Sequence, residues 1–341
     1  MSTDHSTDDV KSHPAPAGSG AEVDDTESRT DRLDTAIQKL VEARGTDVGE
    51  VSARFSEEMI LTAPNSFSKH TSGLRALEIS GSGVLGDMAW IEVPSGRRFF
   101  SPVSRNNHQR AFEYVSDLIS PNLTAETFLA ALDVVGRYAS GQASIPPSLY
   151  PPKNGSVMEC GAYLGHKTIR FAEDLVPEGE ILAVELMPEN CRIFRRNIEE
   201  NGLQDRVSLI EAGVWSGPDR LKIWGKGRQR NSLFPLEKIK VESDVWASVD
   251  SIDHHLDAWG RPSIDLLYIT VNAAEIEALQ GLDRWRDRIR AVVIEALYER
   301  EGRDCGDWCR ELLIEMGFEL VSGGGPKQVC AINPDFPSGS Q

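Results

Sequence analysis

Short apolar runs alternate with amphipathic segments through the C-terminal half of the chain. Runs of consecutive apolar residues are typical of buried strands, and apolar residues at helical spacing are typical of helices that pack on a sheet. The alternation therefore predicts an α/β fold with a doubly wound sheet. The predicted strands are residues 157–158, 181–184, 207–212, 266–271, 291–296, 318–321 and 329–332, and the predicted helices are residues 165–175, 188–201 and 309–316.

The N-terminal half has a different pattern. Residues 1–30 contain almost no large apolar side chains, so we predict a disordered acidic tail. For residues 31–150 the pattern predicts a small α+β region. Its predicted elements are an amphipathic helix at 32–44, a hairpin on either side of the turn at 94–96, and helices at 108–119 and 124–138. The first helix suits either capping of the domain or pairing with a second copy in a homo-oligomer.

A proline-rich segment separates the two halves. Residues 146–152 contain four prolines in the sequence Pro-Pro-Ser-Leu-Tyr-Pro-Pro, which forbids a helix and predicts a stiff connector. We place a domain boundary there, so that the α/β domain covers residues 151–335.

Charge and composition narrow the range of partners. The chain has 36 Lys and Arg against 53 Asp and Glu, a net charge of −17, which argues against nucleic acid as a partner. The charge favours an ordinary acidic protein, with a protein from a salt-rich cell interior as the alternative. No apolar run is long enough for a membrane span. Without a signal peptide, and with five scattered cysteines, we expect a cytoplasmic protein with reduced thiols and no metal site.

A glycine-rich turn, Glu-Cys-Gly-Ala-Tyr-Leu-Gly, follows the first predicted strand at residues 159–165. Gly161 and Gly165 let the backbone pass close to a ligand. A dinucleotide site requires the spacing Gly-x-Gly-x-x-Gly, whereas here Ala162 follows the first glycine. The spacing favours a zwitterionic amino-acid tail over a pyrophosphate, although the two glycines alone fit a structural turn equally well.

The end of the second predicted strand strengthens the ligand interpretation. Glu185 lies about 20 residues after the turn, where an acidic side chain accepts hydrogen bonds from ribose hydroxyls. A surface carboxylate is the alternative. Together with the glycine spacing, Glu185 favours S-adenosylmethionine over a nicotinamide dinucleotide.

Several motifs then occur in a characteristic order: residues 159–168, 183–190, 195–202, 211–215 and 264–281. In this order they resemble the FkbM family of S-adenosylmethionine-dependent methyltransferases over residues 155–333, roughly half of the chain. The resemblance implies a seven-stranded Rossmann-like sheet. It also implies S-adenosylmethionine as cofactor and O-methylation of a small hydroxylated or carboxylated acceptor, such as a sugar or a polyketide.

The resemblance also implies positions for the cofactor. Glu159 would orient the turn or receive the cofactor's ammonium, with capping of the turn amides as its structural alternative. The implied cofactor-binding residues are Glu159, Gly161, Ala162, Tyr163 and Gly165 at the glycine turn, Glu185, Leu186 and Asn190 near the ribose, and Glu211, Ala212 and Gly213 beside the adenine.

The fourth core strand departs from the family's pattern. Where the family has Lys-Ile-Asp-Val-Glu-Gly-Ala-Glu, residues 268–275 are Tyr-Ile-Thr-Val-Asn-Ala-Ala-Glu. We take Thr270, Asn272 and Glu295 as the catalytic candidates, although the first two equally suit plain polar residues at a strand end. Positioning supplies about 7–11 kcal/mol of the barrier reduction, and a general base adds roughly 100- to 10,000-fold. The loss of Asp at position 270 therefore predicts slower or redirected transfer, and leaves open a non-catalytic regulatory or scaffold protein that binds the cofactor.

Two further groups of residues are weaker candidates. His166 and Lys167 are base candidates just after the glycine turn, with a solvated or capping role as the alternative. The basic tract at residues 226–231 suits either an anionic substrate or a solvated loop.

Overall fold

The computed structural model describes residues 35–38, 41, 42, 45, 47–54, 73–139, 145–225, 231–236 and 242–337. The predicted tail at 1–30, parts of the predicted helix at 32–44 and residues 226–230 of the basic tract lie outside these residues. Among the helices that the structure describes, none combines the length and apolarity that a membrane crossing requires.

The N-terminal region contains an antiparallel sheet and short helices. Its elements are α1 (Val48–Arg54), β1 (Gly81–Leu85), β2 (Met88–Glu92), β3 (Arg98–Pro102), α2 (Asn106–Glu113), α3 (Phe128–Asp133), the π-helix Val134–Tyr138 and the 3-10 turn Pro147–Leu149. Strand β2 pairs with both β1 and β3, which confirms the predicted hairpin and adds a third strand.

The C-terminal region alternates strands and helices. Its elements are β4 (Ser156–Cys160), α4 (His166–Asp174), β5 (Glu180–Glu185), α5 (Pro188–Glu200), β6 (Val207–Glu211), β7 (Gly213–Val214), β8 (Asp219–Trp224), β9 (Glu242–Asp250), α6 (Ile252–Trp259), β10 (Leu266–Ile269), α7 (Glu275–Gln280), the 3-10 turn Arg286–Arg288, β11 (Ala291–Glu295), β12 (Glu299–Arg300), β13 (Arg303–Asp304), α8 (Cys305–Glu315), β14 (Glu319–Leu320) and β15 (Gln328–Ile332).

The central sheet has seven strands in the order β14-β15-β11-β10-β4-β5-β6. The five strands from β11 to β6 are parallel, and β15 runs antiparallel to β11. This arrangement confirms the predicted Rossmann-like α/β fold. Successive strands move outward in opposite directions from the β4–β10 pair, so the carboxyl ends of these two strands flank the crevice where such sheets bind ligands.

Alternate residues of each strand pack into two hydrophobic cores, one on each face of the sheet. On one face, Val157 of β4 and Ile181 of β5 pack with Phe171 of α4 and Phe194 of α5. On the other face the strands pack against α6, α7 and α8. The sheet is therefore covered on both sides, as parallel sheets require.

The N-terminal region shares the first of these cores. Phe99, Tyr114 and Leu149 belong to the same cluster as the sheet residues. Polar contacts add to this packing: the Asn197 side chain of α5 accepts a hydrogen bond from the backbone N–H of Phe100 at 2.6 Å and donates to its carbonyl at 3.0 Å. The N-terminal region is thereby fixed against α4 and α5, while the division into domains at residue 150 stays a prediction.

Several predicted boundaries differ from the structure. Helix α2 ends at Glu113 rather than residue 119, because the backbone changes there to tighter turns, in which the N–H of Tyr114 donates to the carbonyl of Ala111 and that of Val115 to the carbonyl of Phe112. Helix α8 begins at Cys305 rather than residue 309, since Asp304 caps it by accepting from the N–H of Gly306 at 2.8 Å. The proline-rich segment was expected to lack any helix, but it forms one 3-10 turn with a proline in its first positions, where no N–H is needed.

The small sheet β7-β9-β8 and helices α6 and α7 were not predicted. Helix α6 had readable signals. Ser251 caps it by accepting from the N–H of His254 at 3.1 Å, and Gly260 ends it with φ +75°.

Candidate functional site

A cavity of about 430 Å³ lies at the carboxyl ends of β4, β5 and β10, where the strand order reverses. Its wall includes most of the residues predicted for the site. Ten of them line it: Gly161, Tyr163, Glu185, Leu186, Asn190, Ala212, Gly213, Thr270, Asn272 and Glu295. Residues predicted from separate motifs thus lie around one space.

The glycine turn approaches the end of β10 very closely. Gly161 has φ +84°, and a Cβ at this position would lie 2.0 Å from the carbonyl oxygen of Thr270. Gly165 has φ +83°, and its Cβ would lie 2.8 Å from the ring of Phe194 in α5. Gly161 therefore permits the close contact of two strand ends, whereas Gly165 permits α4 to pack against α5.

Most of the turn amides are already used within the protein. The N–H groups of Gly161 and Ala162 donate to the carbonyl of Val184 at 2.8 and 3.1 Å, and that of Gly165 donates to the carbonyl of Ala162 at 3.0 Å. The N–H of Tyr163 donates to Glu185 Oε2 at 2.9 Å. These four amides stabilise the turn and are not free to bind a ligand.

Glu185 is buried at the end of β5 and holds three donors. Besides Tyr163, its Oε1 accepts from the N–H of Met187 and from the amide of Asn190, both at 3.0 Å. Burial raises the pKa of Glu185 above its ordinary value, while these hydrogen bonds oppose the rise. A carboxylate has about four acceptor positions, so Glu185 retains one acceptor position for a ligand hydroxyl.

Four predicted cofactor residues lie outside the cavity wall. The Glu159 side chain is buried and accepts from the Thr168 hydroxyl at 2.6 Å. Ala162 packs in the core, and Gly165 begins α4. Glu211 is largely exposed and pairs with Arg195 at 2.9 Å.

Glu295 forms a polar cluster with two neighbouring side chains. Lys167 Nζ lies 3.1 Å from Glu295 Oε1 and 3.0 Å from the Tyr268 hydroxyl, which itself donates to Glu295. Burial alone would raise the pKa of Glu295, but the Lys167 ammonium and the Tyr268 hydroxyl outweigh it and hold the pKa below its ordinary value. Glu295 is therefore ionised at neutral pH at the wall of the cavity.

The divergent segment after β10 is a tightly bonded loop. Asn272 and Ala273 have φ +49° and +75°, so Ala273 takes a left-handed conformation at the position where the family has Gly. Asn272 Nδ2 donates to the carbonyl of Asn231 at 2.8 Å, and Arg300 donates to the carbonyl of Ala273 at 2.9 Å. The Thr270 hydroxyl is buried without a hydrogen-bond partner among the described residues.

The surroundings of two residues near the turn were not predicted from the sequence. His166 is neither solvated nor a helix cap, because it is buried, and its Nε2 lies 3.0 Å from the carbonyl oxygen of Phe100. Arg137, from the N-terminal region, lines the cavity although no motif indicated it. Its position in the predicted helix at 124–138 carried no signal, because only the tertiary packing brings it to the cavity.

A parallel sheet with a glycine turn and a buried carboxylate at its switch point is an arrangement in which nucleotide cofactors bind. Residues 159–320 match the family model of the methyltransferase FkbM domain. The match confirms the resemblance to the FkbM methyltransferases that the motifs predicted over this part of the chain, and it supports S-adenosylmethionine as the cofactor.

Individual relatives match shorter or more distant stretches. The chain is 39% identical to pig (Sus scrofa) catechol O-methyltransferase over 54 residues, which are 16% of this chain and 29% of the relative. It is 24% identical to methyltransferase sdnD of Sordaria araneosa over 50% of this chain and 76% of that protein. The chain thus spans less than a third of the catechol O-methyltransferase that it matches.

Solved structures are similar at low identity. One is methyltransferase FkbM from Methylobacillus flagellatus KT, with TM-score 0.37 and 12% identity over 67% of this chain and 55% of that one. Another is Aeropyrum pernix fibrillarin with bound S-adenosyl-L-methionine, with TM-score 0.34 and 11% identity over 75% of this chain and 100% of that one.

Proposed function

We propose that this chain transfers a methyl group from S-adenosylmethionine to an oxygen of a small hydroxylated or carboxylated acceptor. One observation carries the proposal. A single cavity brings together Gly161 and Glu185, which suit the donor, and Thr270 and Glu295, which suit the acceptor. A protein that only binds the cofactor would need Gly161 and Glu185 but would have no use for Thr270 and Glu295.

The residues of the cavity wall favour one direction for the cofactor. Gly161 and Tyr163 at the glycine turn would hold the methionine part, and the remaining acceptor position of Glu185 would receive a ribose hydroxyl. Ala212 and Gly213, beyond the end of β6, would then hold the adenine. Thr270, after the end of β10, would then be available to the acceptor.

Glu295 provides the base in this arrangement. Bound S-adenosylmethionine would supply the methyl group and leave as S-adenosylhomocysteine, while the Glu295 carboxylate would take the proton of the acceptor hydroxyl. Lys167 and Tyr268 keep this carboxylate ionised and oriented. The unpartnered Thr270 hydroxyl is placed to hydrogen-bond the acceptor.

The acceptor side of the cavity mixes apolar and amide groups. Leu233, Leu297 and Tyr298 contribute apolar surface, while Asn231 and Asn272 contribute polar groups. Such a wall suits a small molecule with an apolar face and several hydroxyl groups. The similarity to catechol O-methyltransferases, although short, also supports transfer to oxygen.

A second candidate is a protein that binds S-adenosylmethionine without transferring the methyl group. It is favoured by the uncharged side chains at Thr270 and Asn272 and by the Asn272 amide, which is bonded to the carbonyl of Asn231. In that case the cofactor would serve as a regulatory ligand.

A labelled-methyl assay separates the two candidates. The protein is incubated with methyl-labelled S-adenosylmethionine and a panel of phenols, sugars and hydroxy acids, and products are detected by mass spectrometry. We expect a labelled product whose formation slows by about 100-fold or more in Glu295→Gln, with Glu211→Gln as the control outside the cavity. If the cofactor binds and no compound is labelled, the non-catalytic candidate is correct.

A further inference from the structure

Arg137 brings a positive charge from outside the family domain to the cofactor cavity. It lies on the π-helix Val134–Tyr138, which packs against α4, while the family match begins at residue 159. Its guanidinium carbon lies 4.5 Å from the ring centroid of Tyr163, a residue of the glycine turn. Stacking on this ring holds the cation at the methionine end of the cavity.

Arg137 acts electrostatically on the nearby carboxylates Glu185 and Glu295 without forming a contact ion pair with either. Within the part of the chain that the structure describes, Arg137 Nε is buried without a hydrogen-bond partner, and Arg137 takes part in no ion pair. The other charged residues of the cavity wall, among those described, are Glu185 and Glu295. A cation in this position is suited to an anionic group of a ligand.

The glycine turn itself offers little for such an anion. The amides of Gly161, Ala162, Tyr163 and Gly165 donate to protein oxygens. These four amides are therefore not available to a carboxylate beside this turn. An arginine fork, with two parallel N–H groups, matches a carboxylate in both charge and geometry.

We infer that Arg137 binds the carboxylate of the cofactor's methionine part, so that the N-terminal region completes the cofactor site of the methyltransferase domain. This inference rests on the proposed function, because it requires S-adenosylmethionine in the direction described above. It makes docking of the N-terminal region on α4 a condition for tight cofactor binding.

Two ligands that differ only in the carboxylate test the inference. Calorimetry compares S-adenosylmethionine with decarboxylated S-adenosylmethionine on the full chain and on Arg137→Met. We expect Arg137→Met to weaken binding of S-adenosylmethionine by about 10- to 100-fold, as for loss of a charged hydrogen bond, and to leave binding of the decarboxylated ligand unchanged. Because both ligands carry the ribose, any indirect effect on Glu185 would weaken both equally.

Two further variants keep the test decisive. Arg170→Met removes a nearby cation that pairs with Asp174 and lies over the ring of Tyr138, so it should not alter the preference between the ligands. Arg137→Lys keeps the positive charge but lacks the two parallel N–H groups of the guanidinium, so we expect it to lose part of the preference for S-adenosylmethionine over the decarboxylated ligand. If Arg137→Met does not fold, Arg137→Lys provides the test by itself.

The outcomes are distinct. Equal weakening of both ligands in Arg137→Met, or no change in either, would overturn the role of Arg137 while leaving the proposed function intact. Failure of the unaltered chain to bind either ligand would overturn both.

Discussion

Replacing Gly161 by alanine tests how closely the glycine turn and the end of β10 approach each other. The added Cβ would lie 2.0 Å from the carbonyl oxygen of Thr270 and 2.9 Å from its carbonyl carbon. An alanine in the left-handed region costs about 1–2 kcal/mol, and forcing a methyl group into packed space costs about 1–3 kcal/mol more. We therefore expect Gly161→Ala to lower the free energy of unfolding by about 2–5 kcal/mol.

Gly202→Ala is the matched control. Gly202 also has a left-handed backbone, with φ +66°, but nothing lies within 4 Å of an added Cβ, so only the backbone cost applies. Urea unfolding followed by circular dichroism measures both variants. Gly161→Ala should also weaken cofactor binding, because relief of the clash displaces Thr270 at the cavity wall. Equal losses of stability in the two variants would refute the close approach.

Two further predictions concern pH. Lys167→Met removes the ammonium that offsets the effect of burial on Glu295, so we expect the pKa of Glu295 to rise. The acid limb of the pH profile of the methyl-transfer rate should therefore move to higher pH. The control is Lys222→Met, which breaks an exposed ion pair with Glu242 and should leave the acid limb unchanged. Burial raises the pKa of Glu159 to about 7, so the folded state holds a proton that the unfolded state releases, and this contribution to stability is lost as pH rises through about 7. Glu159→Gln should therefore flatten the fall in unfolding free energy between about pH 5 and about pH 8, and an unchanged slope would contradict this account.

The sequence predicted the sheet and the location of the glycine turn and Glu185 because both follow from local patterns. Uninterrupted runs of apolar residues are typical of strands that are buried on both faces of a sheet. In a sheet where helices alternate with parallel strands, the turn after the first strand lies at the point where the strand order reverses. Local patterns were therefore sufficient to predict that Gly161 and Glu185 lie at the same edge of the sheet, without information on long-range contacts.

The remaining parts depend on contacts between distant segments. Lys167 was a weak base candidate on sequence grounds, and only the fold places its ammonium between Tyr268 and Glu295. Arg137 lies in a helical pattern with no motif, and its approach to the cavity results from packing of the N-terminal region on α4. Strand β9 alternates exposed and buried residues in part, but its pairing partners β7 and β8 are too short or too polar to predict.

The central claim is that S-adenosylmethionine binds at the cavity through Glu185. Calorimetry of S-adenosylmethionine with the unaltered chain, Glu185→Gln and Glu211→Gln tests it most directly, since both glutamates end neighbouring strands and only Glu185 lines the cavity. With folding verified by circular dichroism, we expect Glu185→Gln to weaken binding by about 10-fold or more and Glu211→Gln to leave it unchanged. Equal affinities in all three proteins, or a loss confined to Glu211→Gln, would contradict the account.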